Sequence, residues 1–94
     1  MTILDIQKIQ AQVRKIAKIG SVAFGWHCKS ESMVERNVDA LDILKVLKYG
    51  KVSHEPDPET DKKFKVVGQD LSRKELTVII IIQDEDSLFV KTVW

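Results

Sequence analysis

The run from Leu76 to Ile82 is the feature that most restricts how this chain can fold. Apolar residues occupy both the odd and the even positions of the run, so as a strand it presents apolar side chains to both faces of its sheet. Such a strand is predicted to be central, with helices over one face and a further cover over the other. Short connections favour antiparallel hairpins with two neighbouring strands, predicted at Lys62–Val67 and Leu88–Trp94.

The first half of the chain is predicted to be mainly helical. Between Ile3 and Ile19 apolar residues recur at steps of three and four, which places them on one face of a helix. Gly20 is expected to end this helix in the left-handed conformation. Two helical turns are predicted at Ser30–Arg36, and a longer helix begins after Asp39 and ends at Gly50.

The predicted fold class is therefore α+β. N-terminal helices pack on a three- to four-stranded, mostly antiparallel sheet, with short strands or extended segments also expected at Val22–Trp26 and Lys51–His54. A chain of 94 residues is about one domain long. We predict a single domain over residues 1–94, with an N-terminal helix at 1–20, a helical segment at 21–50 and an antiparallel sheet at 51–94.

Charge and cysteine content limit the function classes. The net charge is +1, so no overall field draws the protein to nucleic acid or to acidic membranes, and any basic surface must be local. The single cysteine, Cys28, cannot form an intramolecular disulfide, which is consistent with a reducing compartment. The sequence has neither a secretion signal nor an apolar run of the ~20 residues that span a bilayer. We expect a cytoplasmic protein without a membrane partner.

No strong cofactor motif is present. The chain lacks a glycine-rich phosphate loop, a zinc-type spacing of cysteine and histidine, and a nucleophile elbow, so no cofactor or metal is predicted. Cys28 lies beside His27, but neighbours in sequence usually point apart. A lone cysteine is more often a small buried residue than a nucleophile, and we predict the buried role for Cys28.

An ordered set of short motifs extends over about residues 22–94. It comprises His27, Met33, Glu35-Arg36, Asp42-Ile43, Val46-Leu47, Gly50-Lys51-Val52, Phe64-Lys65-Val66 and Gly68. This order resembles the bacterial domain-of-unknown-function 4258 family, in which a short helix carries an arginine after an upstream histidine, a helix ends in glycine, and strands follow. The layout of helices before a sheet is also similar to the RelE and MqsR group of small toxins. That similarity implies metal-independent cleavage of messenger RNA, often at the ribosome, and a cognate antitoxin as partner.

Metal-independent RNA cleavage requires a base for the ribose 2′-hydroxyl, an acid for the leaving oxygen, and cations at the phosphorane. His27 is the candidate base or acid, because an unperturbed imidazole titrates near neutral pH. Arg36 is the candidate phosphate ligand, and Lys65 and Lys91 would add positive charge. We predict these four residues around one cleft. Either of two tryptophans is a candidate for stacking on a base, namely Trp26 and Trp94.

Each candidate also has a structural role that fits the sequence. His27 fits a helix cap, and Arg36 fits an ion pair with Glu35 or Asp39. The two strand lysines, Lys65 and Lys91, fit solvated positions or guards against edge-to-edge aggregation.

Two further hypotheses concern the whole protein. A non-catalytic module would use the sheet face or edge to bind a protein partner or a second copy. A nucleic-acid binder would use basic residues of the first helix, such as Lys15 and Lys18. The acidic stretches Glu55–Asp61 and Asp84–Asp86 would repel RNA wherever they border its site.

Overall fold

A computed structural model of the chain describes residues 3–26, 28–54 and 62–94. The first half contains helices and one short strand: α1 (Ile3–Ile19), β1 (Ser21–Phe24), a π-helical turn (Cys28–Ser32), α2 (Met33–Arg36) and α3 (Ala40–Tyr49). The second half contains four strands: β2 (Lys51–His54), β3 (Lys63–Gln69), β4 (Glu75–Asp84) and β5 (Ser87–Val93). None of the described helices is both long and apolar enough to cross a membrane.

The five strands form one mixed sheet in the order β1-β5-β4-β3-β2. Strands β2 to β5 pair antiparallel, as predicted, and this confirms the α+β class. The additional strand is β1, which pairs parallel with β5 at the edge of the sheet. Two parallel neighbours need a long connection between them. Most of the chain lies between β1 and β5, so they can pair in parallel.

The core lies on one face of the sheet only. Even-numbered residues of β4 point towards the helices, where they meet the apolar stripes of α1 and α3. The strand members of this core include Leu76, Val78, Ile80 and Ile82, and the helix members include Val13, Ile16, Ile43, Val46 and Leu47. Odd-numbered residues of β4 therefore point to the opposite face, because side chains alternate along a strand.

The start of α3 is tied to the turn between β3 and β4. Asp39 and Asp42 form a capping box, in which each carboxylate accepts a hydrogen bond from the backbone N–H of the other residue. Asp42 also accepts from the N–H of Leu71 at 2.9 Å. These bonds, first that from Asp39 and then that from Leu71, lower the pKa of the Asp42 carboxyl.

Replacing Asp42 with alanine is expected to lower the free energy of unfolding by about 1–2 kcal/mol at neutral pH, because two backbone donors lose their acceptor. A carboxyl with a lowered pKa stabilises the fold above its unfolded pKa of about 4, and that stability is lost as the pH falls through the folded pKa. Urea unfolding at pH 7 and at low pH should therefore show the difference between Asp42→Ala and wild type shrinking in acid. The control is Asp86→Ala, since the Asp86 side chain makes a 4.0 Å exposed ion pair with Lys15, while its hydrogen bonds are made by the backbone and are kept in alanine. Equal losses in both variants would contradict this role.

Gly20 ends α1, but the expected left-handed conformation is wrong, because Gly20 has no positive φ. A Cβ at this position would lie 2.4 Å from the carbonyl oxygen of Asp86 and 2.9 Å from the Cα of Ile16. The glycine is therefore required by close backbone approach where α1 turns into β1. Among the described residues of this half, the left-handed conformation is found at Asn37, with φ 54°, which closes α2.

Candidate functional site

The side of the sheet turned away from the core is the candidate site, and we call it the open face. The helix that packs on β3 and β4 is α3, and it does so on the core side. At the centre of the open face Ile79 is only 2% and Thr77 only 9% exposed, so surrounding residues cover these two side chains and the accessible surface lies around them. Strand register places the side chains of the open face in rows, of which the last, Gln69 and Glu75, adds a carboxylate at one end of the face. Three further rows make up the rest of the face. They are Ala23, Phe89, Ile81 and Lys63; Thr92, Ile79, Lys65 and Ser53; and Trp94, Thr77, Val67 and Lys51.

Lysines form one half of the open face. Lys63 and Lys65 are two residues apart on β3 and hence roughly 7 Å apart along the strand. Lys51 lies on the neighbouring β2, opposite Val67. Within the described ranges, neither Lys51 nor Lys65 has an ion-pair partner. A protein with a net charge of only +1 thus has a concentrated positive region on this half of the sheet.

Aromatic side chains lie on the other half, along β5. Trp94 follows β5 and exchanges two hydrogen bonds with Thr77, of 2.7 and 2.9 Å, which orients its side chain to the open face. This indole is 51% exposed. Phe89 is half-buried, and its ring lies so close to Gly25 that a Cβ there would be 2.6 Å from the ring carbon Cζ.

The helical segment between β1 and α3 packs beside β5. Phe24 pairs with Val90, and the N–H of Gly25 donates to the Val90 carbonyl at 3.0 Å. Beyond this point the π-helical turn, rather than a strand, lies against β5, and the hydroxyls of Ser32 and Thr92 are 2.6 Å apart. The segment that leads into His27 is therefore held next to the edge of the open face.

Cys28 is fully buried within the core, as predicted for a small structural residue. Burial raises the pKa of its thiol, so the reactive thiolate is disfavoured.

The four predicted site residues lie at different places. Lys65 is on the open face, between Ile79 and Ser53. Lys91 is exposed and occupies an irregularity of β5, where Ile80 pairs with Val90 but Ile79 pairs with Thr92. His27 lies outside the described residues.

Arg36 is at one end of the sheet. Its Nη2 donates to the carbonyl of Glu75 at 3.3 Å. Glu75 precedes Ile79, the partner of Lys65, by four residues, or roughly 13 Å along the strand. The sequence left two roles open for Arg36, a phosphate ligand or an ion pair with Glu35 or Asp39, and in this structure its side chain bonds to a strand carbonyl.

Three contributors to the open face were not singled out from the sequence. Lys63 was detectable, because it is two residues before Lys65 on the same predicted strand. Lys51 joins the face only through the register of β2 against β3. The Ser32–Thr92 contact joins residues 60 positions apart, and no local pattern marks it.

Acidic residues lie at the β4–β5 turn. Asp84 accepts from the N–H of Asp86, and this bond, together with the Ser87 hydroxyl, lowers the pKa of the Asp84 carboxyl. Asp86 faces Lys15 of α1, on the helix side. The other acidic stretch, Glu55–Asp61, lies outside the described residues. Within the described ranges, no group of three or more acidic, histidine or cysteine side chains is arranged to hold a metal ion.

Comparison with protein families gives a match over most of the chain. The family described as Domain of unknown function (DUF4258) matches residues 27–94. The chain belongs to this family. The DUF4258 match includes the helical segment, α3 and strands β2 to β5, while α1 and β1 precede it. No curated protein and no solved structure matches the chain.

Proposed function

We propose that the protein binds RNA on the open face and cleaves it without a metal ion. The observation that carries this proposal is the cluster of Lys51, Lys63 and Lys65 on the sheet face opposite α3. RNA affinity is dominated by neutralisation of phosphates, so a local cluster of lysines supplies what the net charge of +1 does not.

In this proposal the chemistry is attack of the ribose 2′-hydroxyl on the adjacent phosphate. His27 takes the hydroxyl proton or supplies one to the leaving oxygen. Lys91 stabilises the charge of the phosphorane, while Lys65 and Arg36 bind other phosphates of the RNA further along the sheet. The position of Gly25 against Val90 supports this assignment, since it brings the backbone just before His27 beside the strand that carries Lys91.

The test is incubation of a mixed-sequence RNA with purified protein in EDTA. Wild type is expected to cleave, His27→Ala to lose about 100-fold or more of the rate, as for the loss of a general acid or base, and Lys65→Ala and Arg36→Ala to be slowed. Lys18→Ala is the matched control, because Lys18 is exposed on α1, in the helix layer. Circular dichroism should show all variants folded. Intact RNA with wild type, also when ribosomes are added, would overturn the proposal.

A second candidate function is a non-catalytic interaction module that uses the same face. Ile81, Val67 and Phe89 are half-buried there and supply apolar surface for a protein partner, such as an antitoxin, or for a second copy. Two observations favour RNA. Ile79, at the centre of the face, is only 2% exposed, so little apolar surface is offered there. Self-association would also bury lysines from both copies. A stable dimer without cleavage would favour the module.

A further inference from the structure

Charge and aromatic surface are separated across the open face. The lysines lie on β2 and β3, and the aromatic residues Phe89 and Trp94 lie on or just after β5. Strand β4 runs between them and contributes Thr77, Ile79 and Ile81. Since neighbouring strands are about 4.8 Å apart, β3 and β5 are separated by roughly 10 Å. That separation is comparable with the span from the phosphate to the base of one nucleotide.

We infer that the RNA is bound as an unpaired strand. The nucleotides next to the cleaved one have their phosphates over β3 and their bases over β5. This inference rests on the proposed function and adds the class of substrate. The strand of RNA runs along the β-strands. The three rows meet β3 at positions from Lys63 to Val67, a distance of roughly 13 Å along the strand. This length accommodates about two to three nucleotides, which is the number of bases that other sheet surfaces stack.

The aromatic half of the face is the reason for an unpaired substrate. In a duplex the base faces are stacked on each other, and a protein reaches mainly phosphates and hydroxyls. An exposed indole beside a basic region adds affinity only when a base is free to lie on it. Trp94 has this exposure and this position, and Thr77 fixes its backbone through two hydrogen bonds.

The indole is also placed to act with the lysines. Trp94, Thr77, Val67 and Lys51 form one row across the sheet. A nucleotide with its phosphate at Lys65 can extend its base over β4 to Trp94, and the long side chain of Lys51 can reach the same phosphate from β2. Both halves of the face then contact the same nucleotide, which is the arrangement expected for sequence-tolerant binding of single strands.

The experiment compares three non-cleavable ligands: a 2′-O-methyl single strand, the same strand in a duplex, and the same backbone without bases. The expected order has the single strand bound at least about tenfold more tightly than the other two, because one stacked base contributes about tenfold to a hundredfold in affinity. Trp94→Ala should remove most of this preference and leave duplex binding unchanged, whereas Trp94→Phe should retain much of it.

The matched control is Tyr49→Ala, because Tyr49 is an exposed aromatic residue on α3, in the helix layer. It should bind all three ligands as wild type does. Equal affinity for the three ligands, with no effect of Trp94→Ala, would overturn the inference while leaving RNA binding intact. Failure of wild type to bind any of them would overturn the proposed function as well. Unfolding midpoints of each variant confirm that the fold is retained.

Discussion

The double variant Lys51→Glu and Lys65→Glu is expected to bind single-stranded RNA about 100-fold more weakly than wild type at moderate salt. Each substitution removes one phosphate contact and adds a repelling charge to a face that lies over the phosphates. For single strands the slope of log affinity against log salt falls by about 0.7 for each lost contact. Titrations at several salt concentrations should therefore show both a weaker affinity and a shallower slope.

The control is the double variant Lys15→Glu and Lys18→Glu on α1. It changes the net charge by the same amount, but its residues lie on exposed positions of the helix layer rather than on the open face. Its affinity for RNA should fall much less. Equal losses in the two double variants would show that only total charge matters. A larger loss of affinity for the α1 variant would place RNA on the first helix, which is the hypothesis of a nucleic-acid binder that uses Lys15 and Lys18.

Local patterns were sufficient to predict the two longer helices, α1 and α3. The apolar spacing in α1 and the start of α3 after Asp39 are short-range signals, and both are confirmed. The run in β4 was likewise predicted to be a central strand with helices over one face, and β4 has β3 and β5 as its neighbours. Each of these features depends on residues close together in sequence.

The open face depended on contacts that the sequence does not encode locally. In the run Leu76–Ile82 both faces are apolar, so periodicity could not decide which residues meet the helices. The strand β1 joins the sheet through a parallel pair with β5, residues more than 60 positions away. A five-stranded sheet thus replaced the predicted three to four strands, while the mostly antiparallel pattern was kept.

The irregularity at Lys91 is another feature that local sequence patterns do not predict. Strict alternation along β5 puts Val90 and Thr92 on one face and Lys91 on the other. In the structure Val90 is in the core, whereas Thr92 shares the open-face row of Ile79. One extra residue in a strand reverses the face of the sheet to which each later side chain points. Trp94 therefore reaches the open face only because the irregularity precedes it.

The orientation of β4 leads to a second prediction of large effect, from the neighbours Ile80 and Ile81. Ile80 is fully buried in the core, and Ile81 is partly exposed on the open face between Lys63 and Phe89. Ile80→Ala is expected to lower the free energy of unfolding by about 2–4 kcal/mol, since it removes a buried side chain and leaves a cavity. Ile81→Ala, an identical chemical change one residue away, should cost less than about 1 kcal/mol.

Urea denaturation of both variants measures this difference, and RNA binding measures its consequence. Because Ile80 contributes only to the core, Ile80→Ala should bind RNA normally under conditions where it remains folded. Ile81→Lys should also remain folded, since Ile81 is only half-buried and the longer side chain can place its ammonium group in solvent. It should bind RNA more tightly by adding a cation between the lysines and the aromatic residues. A larger loss of unfolding free energy for Ile81→Ala than for Ile80→Ala would mean that Ile81, not Ile80, points to the helices. The lysines of β3 that share the face of Ile81 would then lie beneath the helices and not on a surface that RNA can reach.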